Sequence, residues 1–239
     1  MTACCLWAIV PAAGHGSRFG QTGAKQYVRL RGKSVIEHSI TAVLEACPDI
    51  AVYVAVAEGD AAWRKEPISN HKQVHTVIGG ENRAASVLAG LNALKKVAQP
   101  NDCVLVHDAA RPCVTVSDVQ AVVAVAAKHA VGALLAAPVT DTLKRANANL
   151  DVTDTLDRSD LYQALTPQVF RMGLLQDAIL LGQQSNLPIT DESSALELAG
   201  FKPRICAGAR SNIKITFPED LILAESFFTS KGGGEPKCV

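Results

Sequence analysis

With 239 residues the chain has room for one large α/β domain or two small ones, and for a substantial buried core. Hydrophobic residues make up 48% and charged residues 19%, which excludes a disordered or charge-driven chain. Formal net charge is zero, so nothing global recruits nucleic acid or an acidic membrane surface, and any anion must be held by a few local cations.

The first element is an apolar run over residues 6–10 that ends abruptly in Pro11-Ala12-Ala13-Gly14-His15-Gly16-Ser17-Arg18 and is soon followed by Lys25-Gln26-Tyr27. A strand that runs into small residues lets main-chain N–H groups converge on an anion, and Arg18 and Lys25 add full charges to those partial ones. No Gly-Lys-Ser/Thr closes the loop, so it is not a Walker loop. Phe19 stands where a dinucleotide fingerprint needs its third glycine.

Ser34-Val35-Ile36-Glu37 has the Ser-x-x-Glu pattern of a capping box and opens a helix. Residues 51–57 and 74–78 read as strands, the second ending at Gly79-Gly80, and residues 81–97 keep helical spacing. A strand over residues 103–108 ends on His107-Asp108; Ser117 is the expected N-cap of a helix to residue 128, and residues 133–139 supply a further strand. This alternation predicts an α/β fold, a mostly parallel twisted sheet flanked by helices, with ligands beyond the carboxyl ends of the strands.

Residues 141–163 break the rhythm with polar residues and turn formers around Asn147 and Asn149. They predict a protruding two-stranded β-arm. A lone hairpin is rarely stable in water, so a second copy of the chain is the expected support, a surface loop being the alternative. Residues 171–183 read as a helix, 191–199 as a short helix closed by Gly200, and 204–207 as a strand. Pro218-Glu219-Asp220 opens a last helix, and residues 231–239 have the composition of a disordered tail, leaving 1–230 as a single expected domain.

At the expected ligand edge Asp108 can bind a metal that bridges phosphates, hold a hydroxyl or pair with an Arg; a turn cap is the plain alternative. Lys214 lies in the apolar run Ile213-Lys214-Ile215. In a strand buried on both faces it needs an anionic partner, and on an edge it is merely solvated. Thr190-Asp191-Glu192-Ser193 reads as ordinary helix capping. No nucleophile–base constellation emerges, whereas several cations, a glycine loop and one acid suit phosphoryl or nucleotidyl transfer.

The seven cysteines form no C-x-x-C pair and read as reduced thiols, and the six histidines show no zinc spacing. The first apolar run is too short for a signal segment or a membrane span, so a cytoplasmic protein is expected, with neither membrane nor nucleic acid as partner.

Several ordered blocks identify the chain as resembling one family. Pro11-Ala12-Ala13-Gly14-x-Gly16-x-Arg18, Lys25-Gln26-Tyr27, Arg83-x-x-Ser86, His107-Asp108-Ala109-Ala110-Arg111-Pro112, Asp141-Thr142-x-Lys144, Leu165-Thr166-Pro167-Gln168, Thr190-Asp191-Glu192 and Asn212-Ile213-Lys214-Ile215-Thr216 resemble the 2-C-methyl-D-erythritol 4-phosphate cytidylyltransferases of the non-mevalonate isoprenoid route. The resemblance implies a Rossmann-like nucleotidyltransferase fold, CTP as co-substrate, dependence on Mg²⁺ and a homodimer through the arm. It implies that Arg18 and Lys25 stabilise the transition state at the α-phosphorus, and that Lys214 and Arg158 position the substrate phosphate. It further implies that Ala12, Ala13, Gly14, Gly16, Gly80 and Ser86 hold the nucleotide, and that Asp108 lies by the ribose or the metal. Arg111, Thr142, Thr166 and Asp108 would contact the alcohol phosphate. Glu81 and Ala85 stand where the family more often has Asp, and Ser211 replaces the usual Asp before Asn212. A ribitol 5-phosphate cytidylyltransferase and a nicotinamide-binding protein are the rival readings; the missing third glycine argues against the second.

Overall fold

The computed structural model describes residues 5–14 and 24–231, so Gly16, Arg18 and residues 232–239 lie outside the described residues. The chain runs through β1 (Leu6–Pro11), a 3₁₀ turn (Lys25–Tyr27), a small hairpin of β2 (Arg29–Leu30) and β3 (Lys33–Ser34), α1 (Val35–Ala46), β4 (Ala51–Val56) and β5 (Val74–Ile78). It continues through α2 (Arg83–Leu94), β6 (Cys103–Val106), α3 (Val116–Ala127), β7 (Gly132–Pro138), β8 (Leu143–Ala146) and β9 (Val152–Leu156). The last third comprises β10 (Tyr162–Arg171), α4 (Met172–Gln184), α5 (Glu192–Leu198), β11 (Arg204–Ala207) and α6 (Glu219–Lys231).

Seven strands form one sheet in the order β11-β7-β10-β6-β1-β4-β5. The pairings β1–β4, β1–β6, β4–β5 and β11–β7 are parallel, while β10 runs antiparallel to both β6 and β7. The mixed, mostly parallel sheet with flanking helices is the α/β architecture expected. Successive β1 residues feed opposite cores, as the two-residue period of a strand requires. Ala8 and Val10 pack with Ile36, Ile40 and Val43 of α1, whereas Ile9 packs with Val87, Leu91 and Leu94 of α2. Each fully buried Val, Ile or Leu among them stabilises the fold by roughly 1.5–3 kcal/mol.

From β1 the chain moves one way to β4 and β5 and then returns to lay β6 on the other side of β1. The order of strands therefore reverses between β1 and β6. Their carboxyl ends diverge there and open a crevice.

Local chemistry explains the element boundaries and the departures from expectation. Ser34 caps α1, its hydroxyl accepting from Glu37 N at 3.2 Å, while the Glu37 carboxylate turns toward Arg29 and Lys33. Only that half of the expected capping box is made. For α3 the cap is Thr115, not Ser117: Thr115 Oγ1 accepts from Asp118 N at 3.0 Å, two residues earlier than expected. A further departure is β10, a ten-residue strand whose residues 164–170 were not expected to be strand. Its ladder with β7 slips between Ala164 and Gln168, across Pro167, which has no N–H to donate. Lys231, expected in the tail, ends α6. β8 and β9 pair as the expected arm.

Candidate functional site

A cleft of about 420 Å³ lies at the carboxyl ends of β1 and β6. One wall is Pro11-Ala12-Ala13-Gly14, continuing β1. Gln26, buried, donates from Nε2 to the carbonyls of Ala12 at 2.9 Å and Gly14 at 3.3 Å, and so ties the Lys25–Tyr27 turn to that backbone. Lys25 enters the cleft beside it.

The opposite wall is the turn from β5 to α2. Gly80 N donates to Ser86 Oγ at 3.1 Å, and that hydroxyl donates to Asn82 O at 2.9 Å. Both glycines of the turn are required by close approach. A Cβ on Gly79 would lie 2.7 Å from Ala13 Cβ, and one on Gly80 would lie 2.4 Å from Ala85 Cβ. Small residues thus line the cleft on both walls.

Between the walls stands Asp108, two residues past β6. Its Oδ1 accepts from Arg83 Nε at 2.9 Å, its Oδ2 pairs with Lys214 Nζ at 2.8 Å, and Arg111 Nε lies 3.6 Å from Oδ2. Burial would push this carboxyl up, but the three cations outweigh it and hold Asp108 well below the usual carboxylate range. Lys214 has an anionic partner although its side chain is exposed, and it sits in an irregular segment and not a strand. Arg83 in turn forms a bidentate pair with buried Glu192, Nη1 to Oε1 at 2.6 Å and Nη2 to Oε2 at 2.9 Å. Burial opposes the charge on Arg83, but the two acids raise its pKa; burial raises that of Glu192 against the pull of Arg83.

Behind Asp108 runs a relay of hydrogen bonds. Asp108 N donates to Thr166 Oγ1 at 3.0 Å, Thr166 Oγ1 lies 3.0 Å from His107 Nδ1, and His107 Nε2 lies 3.2 Å from the Arg111 carbonyl. A carbonyl can only accept, so Nε2 carries the imidazole proton and Nδ1 accepts from the threonine hydroxyl. Burial pushes His107 down to about 4, which keeps it neutral at physiological pH.

Of the residues singled out from sequence, Ala12, Ala13, Gly14, Lys25, Gly80, Ser86, Asp108 and Lys214 meet in this one cleft. Thr166 and Arg111 do not line it. They are 3% and 8% exposed, Thr166 supporting Asp108 from behind and Arg111 donating to Asn212 O at 2.7 Å. Thr142 and Arg158 are exposed near the base of the arm, with Arg158 donating to the Thr140 carbonyl. Asp108 is also not fitted to be a resident Mg²⁺ ligand, because both its oxygens already face cations. Among the described residues no group of three or more His, Cys, Asp or Glu converges on a metal position. Sequence reasoning passed over Gln26, Arg83 and Glu192 as site residues. Only the Gln26 signal, a polar residue beside a cleft lysine, was within local reach.

Comparison with known proteins decides the family. Residues 6–230 match the profile of the 2-C-methyl-D-erythritol 4-phosphate cytidylyltransferase family, IspD. The chain belongs to this family. A relative of that name from Vibrio parahaemolyticus is 48% identical over 227 residues, covering 95% of this chain and 96% of its own. One from Tolumonas auensis is 46% identical over 218 residues, covering 91% and 93%. Among solved structures, the Francisella tularensis cytidylyltransferase superposes with a TM-score of 0.81 at 32% identity, covering 93% of this chain and 99% of that one. The chain is thus a cytidylyltransferase, an enzyme that converts 2-C-methyl-D-erythritol 4-phosphate and CTP to 4-diphosphocytidyl-2-C-methyl-D-erythritol and pyrophosphate.

Proposed function

We propose that transfer in this cytidylyltransferase proceeds by in-line attack of the alcohol's phosphate oxygen on the α-phosphorus of CTP, with pyrophosphate leaving and no covalent enzyme intermediate. The observation that carries this reading is the meeting of Lys25 and Lys214 between walls of small residues, in a cleft that offers two anionic reactants positive charge at close quarters. The Ala12-Ala13-Gly14 backbone, Gly80 and Ser86 hold the nucleotide. Asp108 faces the ribose, held there by Thr166 and Arg111. Lys25 offsets negative charge building at the α-phosphorus, together with Arg18 and the loop of Gly16. Lys214 orients the alcohol phosphate.

A Mg²⁺ ion belongs in this scheme to the substrate, carried in on the triphosphate, where it would neutralise phosphate charge. Residues 1–230 act as one catalytic unit. The arm supports assembly with a second copy of the chain: Leu150 is 85% and Val152 61% exposed on it, and a two-stranded hairpin needs a packing surface. Thr142 and Arg158, which lie off the cleft of their own chain, would then serve the neighbour's alcohol phosphate. We place the enzyme in the cytoplasm, in keeping with the absence among the described residues of any helix long and apolar enough to cross a membrane.

The test is pyrophosphate release with Mg²⁺ and each of CTP, ATP, GTP and UTP, with and without 2-C-methyl-D-erythritol 4-phosphate. Release that requires CTP and that alcohol together is expected. Faster release with ribitol 5-phosphate would move the specificity, and silence from a folded protein that binds CTP would overturn the catalytic reading.

A further inference from the structure

Glu192 is 2% exposed, lies outside the cleft and opens α5. Its neighbours hold it in place. Asp191 accepts from Gln168 Nε2 at 2.8 Å, and Gln168 Oε1 accepts from Ser193 N at 2.9 Å, so the residues on both sides of Glu192 are pinned to β10. From this fixed point its two oxygens grip Nη1 and Nη2 of Arg83, while Nε of the same guanidinium holds Asp108 Oδ1. A planar guanidinium gripped on two edges cannot turn without breaking a charge-assisted bond. Asp108 is thereby left with one oxygen committed to Arg83 and the other turned to Lys214.

We infer that Glu192 is a positioning residue for nucleotidyl transfer, clamping Arg83 so that Asp108 and, through it, Lys214 keep their places in the cleft. The inference rests on the proposed reading of that cleft. Charge supports it: Arg83 pairs directly with both acids, Asp108 and Glu192. Without the Glu192 charge, the Arg83 fork is free to swing onto Asp108 or onto the incoming triphosphate. Lys214 then loses its anchor.

The experiment is a double-mutant cycle with Glu192→Gln and Asp108→Asn, reading kcat and KM for both substrates and thermal melting. Glu192→Gln alone should lower kcat on the order of 10²-fold, the cost of misplaced reacting groups, with the KM for CTP changed less than about three-fold. In the Asp108→Asn background the same change should cost less than about three-fold, since its route of action is already cut. An equal loss in both backgrounds would overturn the inference and leave Glu192 a structural strut, as would an unchanged kcat. If Glu192→Gln does not fold, Glu192→Asp, which keeps the charge and shortens the reach, enters the same cycle. A wild-type protein without turnover overturns the reaction reading and this inference together, whereas wild-type turnover with an additive cycle overturns the inference only.

Discussion

Lys214→Met separates the catalytic use of a cation from its structural use. The substitution removes the ammonium and keeps an unbranched stem. What is lost in the resting protein is a 2.8 Å ion pair whose lysine side chain is 41% exposed. A pair with one partner so well hydrated contributes about 0–1 kcal/mol. Asp108 is not stranded, since Arg83 at 2.9 Å and Arg111 at 3.6 Å remain beside it. For a chain of this size that predicts a fall in Tm of at most about 4 °C. Catalysis should respond very differently: losing the cation that holds one reactant in line for attack costs about 3–4 kcal/mol, so kcat/KM should fall roughly 10²–10³-fold. Calorimetric melting and continuous pyrophosphate release measure the two quantities on one preparation. A Tm loss near 10 °C with a matching loss of activity would show that Lys214 is a brace for Asp108, and near wild-type kcat/KM would remove it from the reaction.

Acid should destabilise the protein through His107. Burial pushes its pKa down to about 4, below the ordinary value of about 6.5, so the unfolded chain binds a proton there that the folded chain refuses. Stability is then full above about pH 6.5 and falls by about 3 kcal/mol as pH drops to about 4; denaturant midpoints across that range should follow this slope in wild type and flatten in His107→Gln, and parallel slopes would remove His107 as the cause. Gly80→Ala should weaken CTP binding at least about ten-fold, because the new methyl meets Ala85 Cβ at 2.4 Å and must push the turn off Ser86. Calorimetric titration reads this, and Ala85→Gly in the same chain should restore part of the affinity; no restoration would rule out the clash. Mixing Arg158→Ala chains with Lys25→Ala chains should recover some activity if the arm serves the neighbouring subunit, and verified mixed dimers that stay inactive would place Arg158 on its own cleft.

How far the fold could be read in advance depended on whether the determining forces were local. β5 and β11 fall on their expected residues, since β-branched and apolar runs bounded by Gly or polar turns leave little choice. β10 escaped because its first three residues are exposed and Pro167 interrupts the rest; a sheet position between β6 and β7 overrides both signals. Thr115 and Ser117 offer the same capping chemistry, and tertiary packing of α3 chooses between them. Asp108 was legible as an acid at the end of a buried strand. Glu192 was not, because its meaning comes from Arg83, 109 positions away in the chain, and a helix cap accounts for its local pattern equally well.

The reversed direction of β10 sets how freely the arm can vary. β7 ends at Pro138 and β10 begins at Tyr162, and these two residues face each other across the ladder. The chain therefore leaves the sheet and re-enters it at adjacent points on the same rim, so everything from 139 to 161 is an excursion from a simple antiparallel pair. A protein in which a tight turn replaces that excursion can still close the β7–β10 ladder. Lengthening, shortening or exchanging the arm would thus leave untouched the interior that keeps the molecule folded.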